Sequence, residues 1–285
     1  MTMINPAQAY SCKRLMRRII SLVALHTPES IKARVHRNRS LDRLSRKIFS
    51  MAVKSTGAIV AIESGPMRGI RLAVSEHLSH AHIRGSYELG TQIAINKLLS
   101  HEFICYDVGA SIGYISLLMA RGAKHVFAFE PAPHAIAQLN NHMRANGFEN
   151  ITIVTSPISD CARPVQFSLT DNAYGCRIAE TQQRKWPTIT LMTSTLDDFV
   201  MSHPSPDLVK IDVEDEEARV LYGARSILCL RKALICCELH SEKSAREVKR
   251  ILSNHRYRIT KLDGQPFEIS GPITPGDVQV LAVPE

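Results

Sequence analysis

The chain has 285 residues, 45% of them hydrophobic and 22% charged, a composition that excludes a disordered protein and is long enough for one large domain with a full core. No apolar run approaches the roughly 20 residues a bilayer-spanning helix needs. The formal charge of +8 is unevenly placed: residues 1–54 hold 12 Lys and Arg against Glu29 and Asp42, a net of +10, and the remainder holds 23 against 25 acids, a net of −2.

The basic character therefore belongs to an N-terminal arm. Within it, CKRLMRRIISLVAL (12–25) and IKARVHRNRSLDRLSRKIF (31–49) place Leu, Ile and Val on one helical side and Arg on the other. Residues 1–56 are expected to form a basic helical extension, and residues 57–285 the catalytic domain. An apolar stripe of this kind packs a solvated helix on its domain; the same pattern could give weak contact with an anionic membrane surface or with nucleic acid. Ile19–Leu25 behind basic residues resembles a signal peptide, but no small-x-small cleavage site follows, which argues against secretion. Seven cysteines without a CxxC pair, three of them (Cys105, Cys236, Cys237) in apolar runs, fit a reducing, cytoplasmic setting.

Beyond the arm, residues 58–74 read as two strands joined by Gly65-Pro66 and Gly69, a hairpin. His77, His80 and His82 lie close together but lack a cysteine or carboxylate at ligand spacing, so no metal site is assigned to them. GSYELGTQIAINKLLS (85–100) has helical spacing, and its start is expected over a ligand.

Residues 103–131 say most. An apolar run ends in Asp107, Gly109-Ala110-Ser111-Ile112-Gly113 turns into a helix, and a second apolar run ends in Glu130-Pro131. Strand, tight turn, helix and strand with an acid at its tip form a nucleotide-cofactor half-site. A dinucleotide needs Gly-x-Gly-x-x-Gly for its pyrophosphate; here Ser111 replaces the middle glycine, and Asp107 would repel phosphates. S-adenosylmethionine carries an ammonium and a sulfonium that acids favour, and a carboxylate that free N–H groups at the helix start could hold. Glu130 is placed to accept from both ribose hydroxyls. An NAD-dependent oxidoreductase is the less favoured alternative.

Pro133–Asn146 predicts a helix ended by Gly147, and Ile151–Thr155 a strand followed by Pro157-Ile158-Ser159-Asp160, which could edge the adenine or be a plain turn. Residues 161–196 break the alternation: VQFSL (165–169) and TITLMTSTL (188–196) read as strands around a polar stretch, an insertion expected to shape the substrate pocket. LVKIDV (208–213) is the next core strand, EEARVLYGARSIL (216–228) a helix, ALICCELH (233–240) a strand, and SEKSAREVKRILSNH (241–255) a helix. YRITKL (257–262) and DVQVLAV (277–283) close the sheet.

Across residues 63–262 the chain resembles the FkbM family of S-adenosylmethionine-dependent methyltransferases. The motifs that carry it are Gly85-Ser-Tyr87-Glu88, Asp107 to Tyr114, Phe129-Glu130-Pro131, Ile158-Ser159-Asp160, Thr195-Leu-Asp197-Asp198, Val209 to Glu214 and Cys237-Glu238-Leu239-His240. The resemblance implies an α/β class I methyltransferase fold: a Rossmann-like, doubly wound, mostly parallel seven-stranded sheet. It also implies O-methylation of a hydroxyl on a glycan, a lipid head group or a secondary metabolite. The cofactor-binding set is then Tyr87, Glu88, Asp107, Gly109, Ala110, Ser111, Gly113, Glu130, Pro131, Ser159, Asp160 and Asp212. Two positions depart from the family: Ser111 replaces Asn, and Asp215 stands where glycine is usual, either capping the helix or altering the pocket.

Methyl transfer requires an aligned acceptor oxygen and removal of its proton. Lys210, Asp212 and Glu214 alternate along one strand and are expected to share a face at the cleft. Asp212 falls at the junction of cofactor and substrate, Glu214 is the first candidate base and His240 the second. Lys210 neutralises neighbouring carboxylates. The acids at 212–217 could hold Mg²⁺ or simply match a helix dipole. Nucleic-acid substrates are disfavoured, because residues 212–217 lack the proline turn of enzymes that methylate nucleic-acid or protein nitrogen. A noncatalytic cofactor-binding scaffold is the remaining alternative.

Overall fold

Apolar strands bounded by glycine turns and amphipathic helices can bury both of their faces only inside a covered sheet, and the chain does this. The computed structural model describes residues 58–285 apart from 76, 171–174, 179–185, 270, 272 and 274–277. The basic arm, its boundary at residue 56 and the middle of the insertion lie outside the described residues.

In chain order, β1 (Ile59–Ala61) and β2 (Arg71–Ala73) form the expected antiparallel hairpin. Then come α1 (His80–Arg84), α2 (Leu89–Leu98), β3 (Ile104–Val108), α3 (Tyr114–Gly122), β4 (His125–Phe129), α4 (Pro133–Asn146) and β5 (Ile151–Val154). The insertion contributes β6 (Pro164–Ser168), β7 (Arg177–Ile178) and β8 (Thr188–Met192), a separate antiparallel sheet. The second half holds α5 (Leu196–Val200), β9 (Leu208–Ile211), α6 (Glu217–Tyr222), α7 (Arg225–Leu230), β10 (Leu234–Leu239), α8 (Glu242–Asn254), β11 (Tyr257–Lys261) and β12 (Val278–Pro284).

The main sheet runs β11-β12-β10-β9-β3-β4-β5, with β12 antiparallel to both neighbours and all other pairs parallel. This is a doubly wound, mostly parallel seven-stranded α/β sheet, as the resemblance implies. The chain winds from β3 to β4 and β5 on one side and later from β9 to β10 on the other, so β3 and β9 flank the switch point where such sheets bind ligands. Period-2 alternation assigns the faces. Cys105 and Leu208 pack with α2, α3 and α4, and Tyr106, Val108, Val209 and Ile211 pack with the helices of the second half. Asp107 and Lys210, register partners across β3 and β9, therefore share the face beneath α3.

Three elements differ from the sequence expectation. The helix in 85–100 starts only at Leu89, after a turn, and α1 precedes it, where the Ser79 N–H donates to His82 Nδ1 at 3.0 Å. TITLMTSTL stops being a strand at Met192, because the Thr195 hydroxyl caps α5 by accepting from the Asp198 N–H at 2.9 Å. EEARVLYGARSIL breaks into α6 and α7, because Asp197 accepts from the Ser226 N–H at 3.0 Å and the Asp197 N–H takes the Gly223 carbonyl at 2.8 Å.

Candidate active site

A cavity of about 490 Å³ opens at the C-terminal ends of β3, β4, β9 and β10, a volume typical of a small-molecule site. Its first half is shaped by backbone. Gly109 has φ 83°, and a Cβ there would lie 1.8 Å from the Asp212 carbonyl oxygen. Gly113, at φ 80°, likewise leaves room for Leu139, whose Cδ1 would sit 2.1 Å from an added Cβ. Ser111 is left-handed as well, at φ 50°, a conformation that Asn and, less readily, Ser tolerate. Glu130, only 5% exposed, accepts from the Ser111 N–H at 2.8 Å and from the Ala132 N–H at 2.7 Å. Burial lifts its carboxyl to about 7 despite those two bonds.

Of the residues expected at the cofactor, Tyr87, Glu88, Gly109, Ser111, Glu130, Pro131 and Asp212 line the cavity, as do the base candidates Glu214 and His240. Five do not. Asp107 is fully buried under the floor, accepting from Ser116 Oγ at 2.5 Å with Lys210 Nζ 3.9 Å away, because strand alternation turns it toward α3. Ala110 and Gly113 shape the turn from behind. Ser159 and Asp160 face away: Asp160 pairs with Arg163 at 3.0 Å and Arg219 at 3.2 Å, and Pro157 and Ile158 form the wall instead. Within the turn itself, the N–H groups of Gly109 and Ala110 are committed to the Phe129 carbonyl and that of Gly113 to the Ala110 carbonyl.

The second half is made of side chains. Strand β9 ends at Ile211, so the expected alternation through Glu214 does not hold; Glu214 and Asp215 are left-handed, at φ 54° and 76°. The turn still brings Glu214 to the cavity, 3.9 Å from Arg177 of the insertion. Asp215 neither lines the cavity nor caps α6; it is exposed, and its N–H donates to Glu217 Oε1 at 3.0 Å. Phe167, Cys176, Arg177 and Ile178 give the insertion the wall that was expected of it.

Beneath this wall Lys210 donates to Asp212 Oδ2 at 3.0 Å. Burial works against its charge, but Asp212, Glu88 and Asp107 together hold it well above the ordinary lysine range. Glu88, largely buried where α2 begins, is lifted by burial to about 7, with Lys210 opposing. His240 Nδ1 donates to Glu217 Oε1 at 2.7 Å, and its Nε2 lies 3.4 Å from Asp212 Oδ1 and 3.7 Å from Glu238 Oε1. Burial alone would lower this imidazole; the Glu217 bond and the charges of Glu217, Asp212 and Glu214 outweigh it and raise it to about 9.

Sequence reasoning missed Glu217, Glu238, Arg177 and Gln279. Glu217, 0% exposed, reads in the sequence as one of several acids opening a helix; only the fold shows it accepting from both His240 and Ser244. Glu238 stood inside a motif that could have flagged it. Arg177 and Gln279 gave no signal. His82, grouped earlier with His77 and His80, is buried and stacks on Tyr87 with ring centroids 3.9 Å apart.

Compared with known proteins, the chain carries a Methyltransferase FkbM domain over residues 107–259. The hexuronic acid methyltransferase AglP of Haloferax volcanii is 28% identical over 221 residues, covering 72% of this chain and 89% of that protein. An uncharacterized protein of Methanocaldococcus jannaschii is 29% identical over 66 residues, 23% of this chain and 26% of that one. Among solved structures, the FkbM methyltransferase of Methylobacillus flagellatus aligns with a TM-score of 0.43 at 18% identity, over 65% of this chain. The chain spans 44% of that structure's length.

Proposed function

The chain belongs to the FkbM methyltransferase family, and on that premise we propose that it transfers the methyl group of S-adenosylmethionine to a hydroxyl oxygen of an acidic sugar. Methyltransferase activity is the family's; the donor, the oxygen acceptor and the sugar are the proposal. One observation carries it: a single cavity joins a bare-backbone turn and a ribose-height acid to a cluster of carboxylates around a histidine. Glu88, Glu130, Asp212, Glu214, Glu216 and Glu238 line it against Arg177 and His240. Such an excess of acid favours a donor bearing a sulfonium and an ammonium. The scaffold alternative loses its motive, since Asp215 stands outside the wall.

In this reading the turn at Gly109 admits the adenosyl group and Glu130 receives the ribose hydroxyls with its remaining lone pairs. Asp212 and Glu88 face the positive charges of the methionyl part. The acceptor oxygen attacks the methyl carbon in line with the departing sulfur, the C–S electron pair stays on sulfur, and the hydroxyl proton passes to a base. Glu214 is that base: burial lifts its carboxyl above the ordinary range, closer to working pH. His240, raised to about 9, enters neutral solution already protonated and is the weaker candidate. Arg177 at the cavity mouth and the hexuronic acid specificity in the name of the Haloferax relative support an acceptor that carries a carboxylate.

Calorimetry with S-adenosylmethionine, S-adenosylhomocysteine and NAD tests the donor. Binding of the first two is expected, and binding of NAD alone overturns the reading. Turnover with isotopically labelled donor over uronic acids, their neutral sugar counterparts and lipid head groups tests the acceptor. Label on a hydroxyl oxygen of the uronic acid is expected, and label only on its carboxylate, on a nitrogen or on a neutral acceptor overturns the assignment.

A further inference from the structure

We propose that Asp212, Glu238 and His240 form a binding site for one divalent first-row cation such as Mn²⁺, Fe²⁺ or Zn²⁺. One ligand atom from each residue lies within 4.8 Å of the others, and none of these three side chains is exposed. The closer pairs, 3.4 Å between His240 Nε2 and Asp212 Oδ1 and 3.7 Å between His240 Nε2 and Glu238 Oε1, are too long for good hydrogen bonds. They are close to the edges of a polyhedron around a cation about 2.0–2.2 Å from each ligand.

What distinguishes this group from a patch of acids is that each residue's second polar atom is already held by the protein. Lys210 donates to Asp212 Oδ2 at 3.0 Å, and Gln279 donates to Glu238 Oε2 at 3.1 Å. Glu217 Oε1 accepts from the Nδ1–H of His240 at 2.7 Å. The three remaining atoms, Oδ1, Oε1 and Nε2, are thereby turned toward one another, and a cation bound there takes the place of the Nε2 proton that His240 carries in neutral solution, which is released on binding. A carboxylate that fixes the far nitrogen of a ligating histidine selects the tautomer and raises its basicity, as outer partners of metal-bound histidines commonly do. Glu217 is itself committed, accepting also from the Asp215 N–H at 3.0 Å and from the Ser244 hydroxyl. One imidazole and two carboxylates suit Mn²⁺, Fe²⁺ or Zn²⁺ better than an all-oxygen Mg²⁺ site, and they leave coordination positions open toward the cavity.

For catalysis the inference rests on the methyltransferase reading; for binding it does not. A cation held by Asp212, Glu238 and His240 would make the proton of an acceptor hydroxyl beside it more acidic. The proton passes to Glu214, the oxygen lone pair forms the new C–O bond, and the C–S bond breaks with its pair kept by sulfur. The products are the methyl ether, S-adenosylhomocysteine and a protonated Glu214.

Titrating the full chain with Mn²⁺ by electron paramagnetic resonance counts the sites, and pulsed measurements read coupling to an imidazole nitrogen. One site per chain with nitrogen coupling is expected. Both features disappear in His240→Gln, affinity falls about 10–100-fold in Glu217→Gln, and Glu242→Gln, at the half-buried start of α8 where the residue pairs with Arg246, changes neither. Mn²⁺ bound without nitrogen coupling, or bound equally well by His240→Gln, means diffuse attraction to an acidic cavity and overturns the site. Were His240→Gln to misfold by circular dichroism, the nitrogen coupling of the unsubstituted protein still decides. Calorimetry with S-adenosylmethionine on the same samples separates the two ideas. Donor binding without a Mn²⁺ site removes only the cation, and a Mn²⁺ site without donor binding removes the methyltransferase reading.

Discussion

The two halves of the cavity are built from different materials. Around β3 and β4 the wall is main chain: Gly109 pressed against the Asp212 carbonyl, a left-handed Ser111, and Glu130 tied to two N–H groups. Around β9 and β10 it is side chain, with Asp212, Glu214, Glu238, His240 and Gln279 arriving from two strand ends, a turn and the antiparallel strand, and with Glu217 of α6 holding His240 from behind. A backbone surface has one shape and serves one ligand. A side-chain surface can be changed residue by residue, which suits the half that meets the variable acceptor.

The sharpest way to break this comparison is to add one methyl group to the backbone half. Gly109→Ala keeps φ 83° and sets its Cβ 1.8 Å from the Asp212 carbonyl oxygen. A left-handed alanine costs about 1–3 kcal/mol before that clash is counted. Loss of donor binding by calorimetry and a clearly lower melting temperature are expected. Gly147→Ala, also left-handed at φ 67° but with nothing within 4 Å, is the control; it should cost about 1 kcal/mol and leave donor affinity alone. Equal effects at the two glycines would falsify the view that the turn exists to fit the ligand.

Next in size is a change confined to the side-chain half. Glu214→Gln is expected to lower kcat by about 10²–10⁴-fold, the usual contribution of a general base, with the donor dissociation constant hardly moved. An unchanged kcat in a stopped-flow or single-turnover assay removes Glu214 as the base.

The same division explains what could be read before the fold was seen. Backbone work leaves local traces: Gly109 and Gly113 at fixed spacing, Glu130 at a strand tip and Gly147 after a helix are short-range facts, and each fell where the sequence put it. Period-2 alternation gives the core strands but ends at Ile211, three residues short of Glu214, where positive φ resets which way side chains point. Asp107 departs from expectation for a related reason. Its acid type suggested a ligand, but its place in the alternation already assigned it to the buried face with Cys105. Glu217, Glu238 and Gln279 are brought together across 62 residues of chain, and no spacing rule reaches that far.

Glu130 tests the backbone half more gently, because it is the one side chain that half relies on. Glu130→Gln must set an NH₂ against either the Ser111 or the Ala132 N–H, donor facing donor. Losing one bond to a charged acceptor is worth about 1.5–3 kcal/mol, so donor affinity should fall about 10–100-fold. The pH dependence has a definite sign. Its folded value, about 7, lies above the ordinary carboxyl range because of burial, so the fold prefers the protonated form. This group's contribution to stability is therefore full at acid pH and is lost as pH rises toward and through 7. Donor affinity runs the other way, rising through 7 as the carboxylate that accepts ribose hydroxyls forms. Calorimetry from pH 6 to 8 should show that rise in the unsubstituted protein and a flatter curve in Glu130→Gln. Glu88, also raised to about 7, accounts for what slope remains.

The smallest expected effect separates strain from chemistry at the turn after β9. Glu214 and Asp215 both hold positive φ there, but only Glu214 lines the cavity. Replacing Asp215 by glycine keeps the N–H that donates to Glu217 Oε1 at 3.0 Å and relieves a left-handed β-carbon. Part of that relief is offset by glycine's greater freedom in the unfolded chain. A net gain of about 1 kcal/mol is expected, raising the melting temperature by about 2–4 °C, with kcat/KM unchanged. A gain in stability bought with a loss of turnover would mean that the Asp215 carboxylate reaches the acceptor from outside the wall. The side-chain half would then extend beyond the cavity, and the line drawn here between the two halves would have to move to include the outer rim of the turn.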